Sequence, residues 1–200
     1  MFRNWREEGC RIGQKRPLLP KQVWAIRARL EIVWNLRDLA LFNLAIDSRL
    51  RGCDLVRLMV TDLVKDGWDR ERVSIVQRKT NKPVQFELTE NTRDSVSTWV
   101  QSADMIECRI TFARRSNNRW HVSTRQCGQF VRKWVTAIGL EPSGYSTHSM
   151  RRTKAAEIYC KTGILCAVQL LLGHTKVDST VRYLGVELED ASSVAERIGI

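Results

Sequence analysis

A chain of 200 residues with 33 Lys and Arg against 22 Asp and Glu carries a formal charge of +11. That excess suits a polyanionic partner, because each phosphate neutralised by a cation releases condensed counterions, and the length allows one well-filled core. No apolar run approaches the ~18–20 residues needed to span a bilayer and no signal-peptide pattern opens the chain, so neither a membrane protein nor a secreted one is expected but a cytosolic one.

The first 16 residues are polar, basic and aperiodic, and Pro17 and Pro20 close them off. This predicts a flexible basic arm over 1–16 and a single domain over 17–200. Val23, Ile26, Leu30 and Val33 then recur at helical spacing, and Asn35 is the expected cap of a second, largely buried helix carrying Leu36, Leu39, Ala40, Asn43 and Leu44. A short amphipathic helix is expected over 52–59. From there the period becomes alternating, in Val73-Ser74-Ile75-Val76-Gln77 and again in Pro83-Val84-Gln85-Phe86-Glu87-Leu88. The polar connection Arg78-Lys79-Thr80-Asn81-Lys82 makes these a β-hairpin with a cationic tip, with 63–65 as a possible third strand. Thr89 should cap a helix reaching Trp99, and 104–120 reads as irregular connection with a short strand at 110–112. Helices are expected over 122–138, 147–162, 165–172, 178–184 and 188–197. The fold class is α+β, mostly α: a helical bundle with one small antiparallel sheet.

Cysteines stand at 10, 53, 108, 127, 160 and 166, without a Cys-x-x-Cys pair or a histidine at zinc-ligand spacing. Cys53, Cys127, Cys160 and Cys166 fall in apolar helical patterns, so reduced thiols packed as small hydrophobes are expected, and no metal or other cofactor is implied. The seven tryptophans are dispersed, with no basic and aromatic interleaving of the kind that stacks single strands, and are assigned to the core.

Chemistry concentrates in the last quarter, where His148-Ser149-Met150-Arg151 is followed by Leu172-Gly173-His174 and, nine residues on, by Tyr183. Guanidinium, imidazole and phenol together can break a phosphodiester without a metal ion. Arginine offers a permanently charged fork for two phosphoryl oxygens, histidine carries a proton near neutrality, and tyrosine supplies an oxygen that can bond phosphorus. Tyr159, inside a helix, is expected to pack; Tyr145, in a loop, is left as a DNA contact.

Leu50-Arg51-Gly52-Cys53-Asp54-Leu55, a lysine in the hairpin after it, His148-x-x-Arg151, Leu171-Leu172-Gly173-His174 and Tyr183 come in the order of the tyrosine recombinase (phage integrase) catalytic domain, which the chain resembles from about 17 to 195. The resemblance implies that fold and a site-specific recombinase that cleaves and rejoins duplex DNA through a 3′-phosphotyrosine intermediate, without metal or ATP. Tyr183 would be the nucleophile, and Arg51 and Arg151 would grip the nonbridging oxygens. His148 would position or deprotonate the phenol, and His174 would hydrogen-bond the phosphate. Lys79, favoured over Lys82, would protonate the departing 5′ oxygen, with Asp54 in a supporting role. The helix with Arg125, Arg132 and Lys133 is the candidate for groove contact.

Only a short arm precedes Pro17, where most family members carry a further N-terminal helical domain. The chain is similar in this to small recombinases that invert fimbrial promoters, which implies a homotetramer on paired sites in the nucleoid, with a possible accessory DNA-bending protein. Arg152 also stands where histidine is frequent. Two other readings keep the same fold: strand swivelling of the type IB topoisomerase kind, and a non-cutting DNA-binding regulator.

Overall fold

The computed structural model describes residues 15–65, 68–102, 111–114, 117–173 and 176–184. It opens with helix α1 (Pro20–Ile32) and helix α2 (Leu36–Ser48). Proline at the first position of α1 costs no hydrogen bond, and the Gln22 carboxamide accepts from the Leu19 N–H at 2.9 Å. Asn35 caps α2, its side chain accepting from the Asp38 N–H at 3.3 Å. From Asp38 to Ser48 every residue of α2 is buried, which makes it the axis around which the other helices pack.

The helix expected over 52–59 is a single turn, α3 (Gly52–Leu55), and a second one-turn helix, α4 (Val60–Leu63), follows beyond it. Leu55, Val56 and Leu58 are all buried, and the chain leaves the helix after Leu55 in a turn at Val56 and Arg57. Strands β1 (Val64–Lys65) and β2 (Trp68–Asp69) form one antiparallel ribbon, and β3 (Arg72–Val76) and β4 (Pro83–Glu87) form the expected hairpin. Val73 and Phe86 are partners in its register and both are buried, which fixes its inner face. The expected third strand thus belongs to a separate ribbon.

Helix α5 (Glu90–Ser102) follows, and a third ribbon pairs β5 (Ala113–Arg114) with β6 (Asn117–His121). The strand expected at 110–112 falls later: residue 110 lies outside the described residues, and Thr111 and Phe112 are a fully buried turn. Helix α6 (Thr124–Ala137) starts at a reciprocal cap, Ser123 accepting from the Gln126 N–H at 3.1 Å and Gln126 from the Ser123 N–H at 2.9 Å. Helices α7 (Thr147–Thr162), α8 (Leu165–Leu172) and α9 (Val177–Leu184) complete the described chain. The helix expected over 188–197 and the arm up to residue 14 lie outside the described residues.

One hydrophobic core joins α1 to α6, with Phe42, Leu44, Phe86, Val131 and Val135 at its centre. A smaller one joins α7, α8 and α9 through Ala155, Ala156, Val168, Leu172 and Leu184. Helix α7 serves both, Met150 facing the first and Ala155 the second. Trp134 closes the α2–α6 seam, edge-on to Phe42 at 5.5 Å and donating to Asp38 Oδ2 at 3.0 Å. Trp24 and Trp34, expected in the core, are exposed, as is Val33. Val23 and Ile26 take the inward face of α1, which turns Trp24 outward, while Val33 and Trp34 lie in the connection beyond it. Tyr145 is buried rather than turned to a ligand, and Tyr159 packs against the smaller core as expected. Cys127 is buried, and burial, aided by Asp38, pushes its thiol up to about 12. Cys166, expected to pack, is exposed because Val168 and Leu172 take the inner face of α8. No described helix is long and apolar enough to cross a membrane.

Candidate active site

Arg51 stands at the N-cap of α3, held there by Leu50 and Leu55, both buried. A Cβ on Gly52 would lie 3.3 Å from the Thr147 side chain, so α3 sits directly against the first turn of α7. That close approach carries Arg51 to the helix bearing His148 and Arg151. Ser146 caps α7, accepting from the His148 N–H at 3.2 Å, while its own N–H donates to Ser149 Oγ at 3.1 Å.

Arg151 is 2% exposed and donates through Nη2 to the Leu172 carbonyl at 2.8 Å, the C-terminal end of α8, where a cation also meets the favourable end of the helix dipole. Its guanidinium carbon lies 6.0 Å from the centre of the Tyr183 ring, and that of Arg152 lies 5.5 Å from it. Tyr183 stands on α9 with its ring partly exposed and its hydroxyl shut off from solvent. Burial pushes the phenol up to about 12, against the opposing pull of Arg151, Arg152 and Arg51. The imidazole of His148 is depressed, first by burial and then by the charges of Arg151, Arg51, Lys79 and Arg152. It is therefore neutral at neutral pH and able to take a proton. Arg51, Lys79 and Arg151 thus lie within electrostatic reach of His148, and Arg51, Arg151 and Arg152 within reach of Tyr183. His174 lies outside the described residues.

Lys79 is exposed in the turn between β3 and β4. Asp54, 5% exposed on α3, accepts from the Arg78 N–H at 3.1 Å and so pins that turn to α3. Lys82 is also exposed, at the far end of the turn. Gly173 ends α8 at φ 64, and a Cβ there would meet Val84 Cγ2 at 2.9 Å. Only glycine fits both the left-handed backbone and that contact with β4. Arg125, Arg132 and Lys133 are exposed on α6, away from the buried face made by Cys127, Val131 and Trp134.

Three residues not singled out from the sequence belong to this neighbourhood. Gln77, 1% exposed, accepts from Arg51 Nη1 and, at 3.1 Å, from Thr80 Oγ1. It lies in phase with the inward Val73, and an amide at an inward strand position was the available sign. Arg49 is 5% exposed at φ 53; burial lowers its pKa, Asp47 and Glu87 oppose this, and Arg151 adds to the depression. Nothing in a sequence announces a left-handed arginine. Arg152, noted only as a departure, donates to the Lys15 carbonyl at 2.7 Å and ties the incoming chain to α7.

Residues 17–189 match the model of the phage integrase family. The probable integrase/recombinase YoeC of Bacillus subtilis is 29% identical over 164 residues, covering 82% of this chain and 85% of YoeC. A tyrosine recombinase XerC of Shewanella amazonensis is 27% identical over 160 residues, 80% of this chain but 52% of that protein. Among solved structures, XerA recombinase superposes with a TM-score of 0.74 at 15% identity, covering 94% of this chain and 66% of that one. XerH recombinase bound to difH substrate gives 0.72 at 14% identity over 94% and 55%. The chain belongs to the phage integrase family, and its fold is that of tyrosine recombinase catalytic domains.

Proposed function

We propose that this chain is a site-specific recombinase that cuts and rejoins duplex DNA with Tyr183 as nucleophile. The observation that carries the reading is Arg151 facing the Tyr183 ring at 6.0 Å from its centre, with the charge of Arg51 also acting on that phenol. Two guanidinium groups can hold the nonbridging oxygens of one phosphodiester and stabilise the five-coordinate phosphorus, the task that a metal ion performs in many phosphoryl-transfer enzymes. The phenol proton passes to His148 as the Tyr183 oxygen bonds phosphorus; the bond from phosphorus to the 5′ oxygen breaks, and Lys79 protonates that oxygen. Reversal by the 5′ hydroxyl of another strand re-forms a phosphodiester with no net loss of ester energy. His174 is assigned to the phosphate through the resemblance of Leu172-Gly173-His174 alone.

The low ionisation of the buried phenol belongs to this scheme. With its pKa at about 12 the phenolate fraction at pH 7 is on the order of one in 10⁵, so Tyr183 attacks only when a base takes its proton. Double-stranded DNA is the partner, bound as a homotetramer on paired sites within the cytoplasmic nucleoid. An accessory DNA-bending protein would assist assembly of the paired sites.

The test offers the protein a set of nicked duplexes covering the DNA on either side of its gene, then denatures the mixture. A protein joined to a 3′ phosphate is expected from the wild type and none from Tyr183→Phe, which should still bind. Tight duplex binding without any adduct would make the chain a non-cutting regulator. Relaxation of supercoiled plasmid by monomers, with no need for paired sites, would make it a topoisomerase.

A further inference from the structure

Gln77 is a buried side chain that meets three separate pieces of the candidate site. Its carboxamide oxygen accepts from Arg51 Nη1 and from Thr80 Oγ1, the latter at 3.1 Å. Its backbone closes the turn that carries Lys79, the N–H donating to the Lys82 carbonyl at 2.9 Å and the carbonyl accepting from the Asn81 N–H at 2.8 Å. The same amide lies near Gly173, with Nε2 at 3.7 Å and Oε1 at 3.8 Å from where a Cβ would stand.

A buried glutamine whose hydrogen bonds are satisfied is ordinarily structural. Two features set this one apart. Both of its functional contacts go to groups that would act on different oxygens of the same phosphorus: the arginine on the nonbridging oxygens, and the turn of the lysine on the departing oxygen. Further, a neutral amide orients Arg51 by one of its five N–H donors without cancelling its charge. A carboxylate in the same place would make the same contact and neutralise the cation that the phosphate needs.

We infer that Gln77 is a positioning residue that holds Arg51 and the Lys79 turn in one register, so that phosphate grip and leaving-group protonation are set by a single side chain. The inference rests on the recombinase reading above. Asp54, accepting from the Arg78 N–H, makes a second tie between α3 and the same turn, so loss of Gln77 loosens the register without freeing the hairpin.

The experiment measures single-turnover adduct formation by the wild type, Gln77→Ala and Gln77→Glu on three nicked duplexes of one sequence. One has an ordinary scissile phosphate. A second carries sulfur at the 5′ bridging position, whose thiolate leaves without a proton donor. The third carries a methylphosphonate, which removes one nonbridging negative charge. Gln77→Ala should lower the rate on the phosphate duplex on the order of 10-fold or more, the usual scale for a residue supporting an active group. Duplex affinity should change far less, and the bridging sulfur should close much of the gap. Gln77→Glu, the isosteric variant that keeps the fold if alanine does not, should be slow on phosphate and recover toward wild type on methylphosphonate. Equal deficits on all three duplexes would show a merely structural role and overturn the inference, as would wild-type rates for both variants. A wild type that forms no adduct on any duplex would instead bring down the recombinase reading, and this inference with it.

Discussion

Arg151 joins two ends of the smaller core: its guanidinium donates to the Leu172 carbonyl at 2.8 Å and stands 6.0 Å from the Tyr183 ring. One side chain thus ends α8 and faces the residue on α9 proposed as nucleophile. The pairing means that the position of the phenol depends on a cation 32 residues earlier, and that fold and chemistry share an anchor.

Removing that anchor should be costly in two ways. Arg151→Ala leaves the Leu172 carbonyl without its donor and removes a charge from the phosphorus site. The rate of adduct formation is expected to fall on the order of 10²–10³-fold, as when one oxyanion donor is lost. The thermal midpoint should fall too. Arg151→Lys should recover part of the midpoint and little of the rate, because an ammonium keeps the charge and lacks the planar fork.

The depressed imidazole of His148 fixes the acid side of the pH profile. Burial and the surrounding cations place its folded value below the ordinary 6.5, so protonation penalises the native protein. The corresponding loss of stability starts near pH 6.5 and grows as pH falls toward the folded value, and the neutral form prevails above. Adduct formation should therefore hold level from pH 8 to about 6.5 and decline only below that. His148→Ala should be slow throughout, without that decline. A wild-type rate already falling between pH 8 and 7 would contradict the neutral assignment.

Asp47 supplies the acid sensitivity of the fold. Burial opposes its ionisation, but the hydrogen bonds and charge of Lys154 and the hydroxyls of Thr89 and Thr92 outweigh it and hold the carboxyl below its ordinary 3.8. Its stabilising contribution is full above that value and is lost as pH falls from about 4 through the lower folded value. Lys154→Met should cost roughly 2 kcal/mol at neutral pH, less than the ~3–5 of a fully buried pair because the lysine side chain is 27% exposed. Urea unfolding at pH 7 and at pH 3 should show the two proteins differing more at the higher pH.

Gly173 should tolerate no side chain. Alanine there meets the left-handed backbone penalty of ~1–2 kcal/mol and, in addition, a contact at 2.9 Å with Val84 Cγ2. Denaturant midpoints should place Gly173→Ala well below wild type. Adding Val84→Ala should recover the steric part, so the double variant should lose less than the sum of the two single changes.

The exposed cations of α6 are expected to meet DNA phosphates or bases. Replacing Arg125, Arg132 and Lys133 by alanine should weaken duplex binding and, if all three meet phosphates, flatten the plot of log affinity against log salt by about 3 × 0.9. An unchanged slope would remove α6 from the phosphate-contacting surface.

The sequence read most clearly where the governing physics is local. Asn35 caps its helix as expected because a short polar side chain can reach an N–H three residues away, and α7 and α8 begin and end where their patterns predicted; the caps Ser123 and Ser146 were not foreseen. The β3–β4 hairpin followed from alternation and a polar turn. The reading failed where side chains compete for a shared interior. The helix expected over 52–59 stops after one turn, Trp24 and Trp34 face outward, and Tyr145 goes inward, since which face of an element is covered depends on what packs over it.

The same division runs through the site. The order and spacing of Arg51, His148, Arg151 and Tyr183 are properties of the chain, and so is the cationic excess, because residue type and short-range periodicity need no fold to define them. Their meeting was decided by tertiary structure alone. The contact of Gly52 with Thr147, the passage of Gly173 against Val84, the turn of Gln77 toward Arg51 and the burial of Arg49 join segments separated by tens of residues. Such contacts depend on close packing of whole elements, an energy that no local stretch of sequence contains.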